Sequence, residues 1–178
     1  MNSGSLAQPK ASPVIAIISW LIVLWIVFVF LGSLRFKFSL APETQHIFGT
    51  VGAWLGSFLG DGIGSAFAAF GSYVVGSVEL LTSLVLLTPA IAWVVRVATK
   101  GEIGHGRAFW HAIGGIMASG VMAGAVFFHL FTPLGINVQG DGGSLFRTAV
   151  SVLVLGIVLF AMNSRAAFVR REVMDPLA

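Results

Sequence analysis

Five side chains could do chemistry in a chain that is otherwise almost wholly apolar: Arg35, Lys37, Glu79, His129 and Arg147. Glu79 is the sharpest case, because Gly76, Val78, Leu80 and Leu81 around it are small or aliphatic. A carboxyl group in such a segment is stable beside a cation or as the protonated acid. Arg35, Lys37 and Arg147 are the cations that could serve it. His129, set among Phe127, Phe128, Phe131 and Pro133, could hydrogen-bond a carbonyl or relay a proton near neutral pH. Together the five describe either a buried ion pair that fixes how helices assemble, or a polar pocket for a small molecule. No residue is assigned a catalytic role.

Other chemistry is excluded or set aside. The chain has no cysteine, so disulfides, thiolate metal sites and CxxC redox centres are impossible. A bis-histidine haem would pair His46 with His129 and His105 with His111. It needs ligands from opposed helices, and His46 and His105 fall outside the apolar segments, so that reading is set aside and no metal site is expected. Neither a P-loop, a GxGxxG after a strand, an HExxH nor a GxSxG is present.

The elements that must position these groups follow from composition. Of 178 residues, 57% are hydrophobic and 10% charged, whereas a soluble domain carries about 25% charge to face water. Fifteen Phe and five Trp exclude a disordered chain. The net charge of +3 does not point to nucleic acid, since the bases sit singly at the ends of apolar runs. The partner implied is the lipid bilayer.

Four runs reach the roughly 20 residues needed to span it: about 14–34, 72–97, 108–131 and 145–162. The fold class expected is an all-α membrane protein, a four-transmembrane-helix bundle over 13–164 with short tails at 1–12 and 165–178. Lys10, Arg96, Lys100, Arg107, Arg165, Arg170 and Arg171 flank one side, against Arg35, Lys37 and Arg147 on the other. The positive-inside rule then sets both termini in the cytoplasm, in a bacterial inner membrane. Between spans one and two, Ile47, Val51, Trp54, Leu55 and Phe58 recur at helical spacing, with Gly49, Thr50, Gly52, Gly56 and Ser57 largely opposite. This predicts a short amphipathic helix, either lying in the outer interface with Trp54 as anchor or capping the bundle. Gly60-Asp61-Gly62-Ile63-Gly64 reads as a flexible turn. In span three Ala112, Gly115, Ser119 and Ala123 recur every four residues, and Gly120 and Gly124 form a GxxxG. That stripe predicts a tightly packed central helix or, as the alternative, a homodimer seam. On this topology every span contributes at least one of the five groups, span one two of them, to the outer half of the bundle.

Three segments resemble the DoxX-like family of four-helix membrane proteins. They are Gly32-Ser-Leu-Arg-Phe-Lys-Phe38 closing span one, Gly76-Ser-Val-Glu-Leu-Leu-Thr-Ser-Leu-Val-Leu-Leu-Thr-Pro89 in span two, and Met122-Ala-Gly-Ala-Val-Phe-Phe-His-Leu130 ending span three. The resemblance runs from about residue 25 to 163 and carries over Lys37, Glu79 and His129. It implies a membrane subunit of a redox or stress-response system, associated with an oxidoreductase, with quinone as the candidate cofactor and a redox-complex subunit as partner. The longer segment from Trp93 to Trp110 departs from the family pattern, and the lack of cysteine excludes thiol–quinone exchange. The function expected is thus a quinone- or anion-binding pocket in the outer half. The alternative is a non-catalytic assembly or chaperone-like scaffold whose small-residue stripe docks another helix.

Overall fold

Proline opens two of the helices, at Pro13 and Pro42. Its fixed φ suits a first turn, and the N–H it lacks is one that the first turn leaves unpaired. The computed structural model describes residues 12–99 and 106–174, with side chains for 12–97 and 106–168. It contains α1 Pro13–Phe38, α2 Pro42–Leu59, α3 Asp61–Thr99, α4 Arg107–Phe131 and α5 Ser144–Met174, and no strand among the described residues. Lys10, Lys100 and His105, and the side chains of Arg170 and Arg171, lie outside that description.

The helices α1, α3, α4 and α5 are each long and apolar enough to cross a membrane. They alternate in direction. Ser19 and Trp25 of α1 meet Asn163 and Ser151 of α5, while Ser33 meets Glu79 of α3. The starts of α1 and α4 therefore share one end of the bundle with the ends of α3 and α5; we call this the terminal end, and the opposite one the distal end. The inward face of α1 is Ser19, Ile22, Val23, Ile26, Val27 and Phe30, a single stripe at helical spacing. Leu86, Ala118, Met122, Val152 and Leu159 complete the core it packs into. Large apolar side chains also cover the outside, Phe28 being 71% and Trp93 67% exposed. A surface of that kind is matched to hydrocarbon rather than water, and the chain is a multi-pass helical membrane protein.

With no hydrophobic drive between helices in lipid, close backbone approach and buried polar bonds must hold them. A Cβ on Gly115 would stand 2.7 Å from the Gly156 carbonyl oxygen of α5 and 3.0 Å from the Phe160 nitrogen. Ser119 hydroxyl donates across the same seam to the Leu153 carbonyl at 3.1 Å. The expected packing of α4 through small residues is therefore real at Gly115 and Ser119. It does not extend to the GxxxG, since nothing lies within 4 Å of where a Cβ would sit on Gly120 or Gly124.

The connection between spans one and two departs from the sequence expectation at its turn. α3 begins at Asp61, so the stretch read as a flexible turn is helical except for Gly60, whose φ of +97° makes the bend. The glycine side of α2 is a packing face. A Cβ on Gly52 would stand 2.9 Å from the Ala68 Cβ and 3.1 Å from its nitrogen, and one on Gly64 would stand 2.8 Å from the Gly56 Cα. Glycines facing each other let α2 fold flat onto the start of α3, and Phe48 closes over Gly71 and Phe67. Val51 then meets Leu134 and Val138 of the α4–α5 loop, with Phe67 and Phe128 around them. Here α2 roofs the distal end of the bundle.

At Gly115 the added methyl of alanine overpacks a backbone contact, so Gly115→Ala should cost about 1–3 kcal/mol. The same change at Gly120 meets open space and should be neutral or gain about 0.5–1 kcal/mol from helix propensity. Thermal unfolding of the detergent-solubilised variants measures both, and equal midpoints would contradict the packing described.

Candidate functional site

Phe30, Ser33 and Lys37 continue the inward stripe of α1 by steps of three and four residues, which brings Lys37 round to face α3. There the Lys37 Nζ lies 2.8 Å from Oε2 and 3.0 Å from Oε1 of Glu79. Ser33 hydroxyl accepts from the same ammonium at 2.9 Å. Its proton lies within 2.7 Å reach of both Glu79 Oε2 and the Phe30 carbonyl. Glu79 is only 2% exposed and Lys37 17%. Charge and hydrogen-bonding capacity are thus matched locally, the condition under which a buried ion pair is tolerable. One turn on, Ser83 hydroxyl donates to the Glu79 carbonyl, and Thr82 donates to Val78, so these buried hydroxyls are satisfied within α3.

His129 stands in the last turn of α4, 7% exposed. A carbonyl can only accept, so the 2.7 Å contact with the Gly135 oxygen makes Nδ1 the donor. Nε2 is the ring nitrogen left for a ligand. The Phe146 ring crosses the imidazole edge-on at 5.7 Å. The loop that supplies Gly135 is held by Asp141. Its Oδ1 accepts from the backbone of Val138 and Gly143, and its Oδ2 from Leu145 in the first turn of α5, all at 2.8–2.9 Å.

Lys37, Glu79 and His129 line one cavity of about 640 Å³ at the distal end. Ser33 joins them from α1, and Glu43 and Thr44 from α2. Apart from Thr148 of α5, the remaining wall is apolar: Val29, Val78, Met122 and Ala125 toward the bundle core, Phe48, Val51, Phe67 and Phe128 toward the roof. Such a chamber, apolar with a few convergent polar groups, is the usual form of a small-molecule site.

Arg35 and Arg147 do not join it. Arg35 is exposed, its guanidinium 4.6 Å over the Phe36 ring. Arg147 is exposed too and donates to the Gly142 carbonyl at 2.7 Å. The cation facing Glu79 is Lys37 alone. Sequence reasoning missed Glu43, Thr44 and Asp141. Glu43 follows Pro42 in a first helical turn, where an acid is expected for the helix dipole whatever else it does. Asp141 did carry a signal, an acid in a Gly-rich stretch just before a helix.

Comparisons of the chain with protein-family models, curated proteins and solved structures find no match. The fold and site by themselves define the class: a four-helix membrane protein with a roofed apolar chamber and an internal Lys–Glu pair.

Two outcomes follow from this geometry. Lys37→Met strands the Glu79 carboxylate and should lose about 3 kcal/mol, whereas Lys37→Met/Glu79→Leu should regain most of it, because removing both charges removes the desolvation cost. Denaturant unfolding in detergent distinguishes the two; equal losses would show that the pair is not coupled. Asp141 is held below the usual carboxylate range, first by the Leu145 N–H; desolvation opposes this, and the N–H groups of Gly143 and Val138 and the nearby His129 add to the lowering. A depressed carboxyl stabilises the fold above its unfolded pKa and loses that contribution as pH falls through the folded one. Thermal stability should therefore fall on acidification below the ordinary Asp range. Asp141→Asn should be less stable at neutral pH and show a flatter acid limb.

Proposed function

We propose that the distal chamber binds a small apolar molecule with an oxygen-bearing polar tip, of the quinone and hydroquinone class, and that the chain serves as the membrane subunit of a redox or stress-response system. The observation that carries this is the meeting of Lys37, Glu79 and His129 on the wall of one chamber of about 640 Å³ whose other walls are mostly aliphatic and aromatic. The chemistry fits both redox forms. A ring carbonyl needs a donor, and the Lys37 ammonium on the wall can share an N–H that otherwise faces the Glu79 or Ser33 oxygens at 2.8–3.0 Å. A ring hydroxyl needs an acceptor, and with Nδ1 donating to the Gly135 carbonyl, Nε2 is the His129 nitrogen that can meet it. A free anion is served less well: Lys37 is already neutralised by Glu79, and Glu43 adds a negative charge to the lining.

The resemblance to DoxX-like proteins at Lys37, Glu79 and His129 supports the same reading. So does the arrangement of bases, which favours an inner membrane with both termini cytoplasmic and the chamber in the outer half. A second reading, a non-catalytic assembly scaffold, is favoured by the completeness of the Ser33–Lys37–Glu79 network, which ties α1 to α3 without any ligand.

The test is titration of the full-length protein in nanodiscs with a short-chain ubiquinone, followed by tryptophan quenching and calorimetry. Gly124→Phe is the informative variant, because Gly124 lines the chamber while a Cβ there meets nothing. Quinone affinity should fall at least tenfold in Gly124→Phe and in His129→Ala, equivalent to about 1.4 kcal/mol. Unchanged affinity in both, or no binding by the wild type, would leave the scaffold reading.

A further inference from the structure

A second cavity, of about 370 Å³, opens at the terminal end and is unconnected with the quinone reading. It is lined by Trp20 of α1, by Pro89, Ala90 and Trp93 of α3, and by Arg107 in the first turn of α4. Its floor and walls are apolar, and among the described residues Arg107 is its one charged group. The guanidinium is held in place by neutral partners: Nη1 donates to Asn163 Oδ1 at 3.2 Å and to His111 Nδ1 at 3.3 Å. Asn163 is in turn fixed by donating to Ser19 hydroxyl at 3.0 Å and to the Leu159 carbonyl. Trp20 packs edge-to-face on the His111 ring at 4.8 Å. Asn163 and His111 orient Arg107, and among the described residues no carboxylate pairs with it. The described side chains include four carboxylates, Glu43, Asp61, Glu79 and Asp141, and all belong to the distal end.

We propose that this cavity binds the phosphate-bearing headgroup region of an anionic phospholipid from the leaflet at the terminal end. Three observations converge on that occupant. α4 has 25 residues, about 37 Å at 1.5 Å per residue, so a helix that crosses a core of about 30 Å sets its first residue at headgroup depth. Arginine matches phosphate with a planar fork of donors. Trp20 and Trp93 flank it, and Trp93, Val94 and Val97 continue as an exposed apolar strip along α3, on which an acyl chain can lie while the phosphate stays with Arg107. Arg96 and Arg165 at the same end add to the positive field.

The experiment uses the full-length protein in phosphatidylcholine nanodiscs, titrated with brominated phosphatidylglycerol or brominated phosphatidylcholine, with quenching of tryptophan fluorescence as readout. Wild type should favour the anionic lipid at least fivefold, about what one basic residue contributes at a membrane surface. Trp93→Phe should remove much of the extra quenching, which places the lipid. Arg107→Gln should abolish the preference. Because that change also breaks the bonds to Asn163 and His111, Ala90→Leu provides a check that fills the cavity and leaves Arg107 untouched, and it too should abolish the preference. Equal binding of the two lipids by wild type, or a preference that survives Ala90→Leu, overturns the proposal. Protection by soluble glycerol phosphate to the same degree as by the lipid would also overturn it, by showing an anion site without lipid.

Discussion

A carboxylate held at 2% exposure inside a bundle that faces lipid imposes the strictest demand in this molecule. Glu79 is almost fully withdrawn from the surface, so as a carboxylate it needs a cation, and the end of α1 presents Lys37. The Lys37–Glu79 contact therefore sets how far α1 rises beside α3 and which way it is turned. Once that register is fixed, Phe30 enters the core, Ser33 is placed to share its proton, and Phe38 comes to rest against Gly76. The 3.1 Å approach of the Phe38 ring to a Cβ at Gly76 shows how little room the register leaves. An ion pair of this kind adds little net stability compared with a well-packed apolar pair. Its contribution is to choose one arrangement among several that would bury equal apolar area.

Much of this was legible in the sequence, and what was not had a common cause. Hydropathy and the placement of charges report depth in the membrane, so the four spans and the level of Glu79, Lys37 and His129 could be read directly. They do not report direction around a helix axis when every side is apolar. Arg35 and Lys37 are two residues apart, about 200° around an α-helix, so only one can face α3. Ser19, Ile22, Val23, Ile26, Val27 and Phe30 form the stripe that selects Lys37, but Leu21, Leu24 and Phe28 outside it are equally hydrophobic. The same blindness hid the packing face of α2. Gly52 and Gly56 look polar-sided on a wheel, and only the facing Gly64 reveals them as the close contact. Glu43 was missed for the matching reason, since its place on the cavity wall depends on where α2 folds.

The chamber itself has a mechanical origin in α4. Between Gly114 and Ser119 this helix is drawn tightly to its neighbours: Gly114 against Leu86, and Gly115 and Ser119 against α5. From Gly120 onward the tight contacts stop, and Val121, Met122, Gly124 and Ala125 border open volume instead. A void that size is costly if it stays empty, because its lining forfeits dispersion contacts. Selection for stability alone would fill it, and a Cβ at Gly124 would meet nothing within 4 Å. Instead α2 and the 132–143 loop are built over the void. Val51, Leu134 and Val138 pack together in the roof, while Asp141 pins the loop and Gly135 fixes the His129 ring. Structure built over one side of a space, rather than into it, is what the proposed small-molecule site would require.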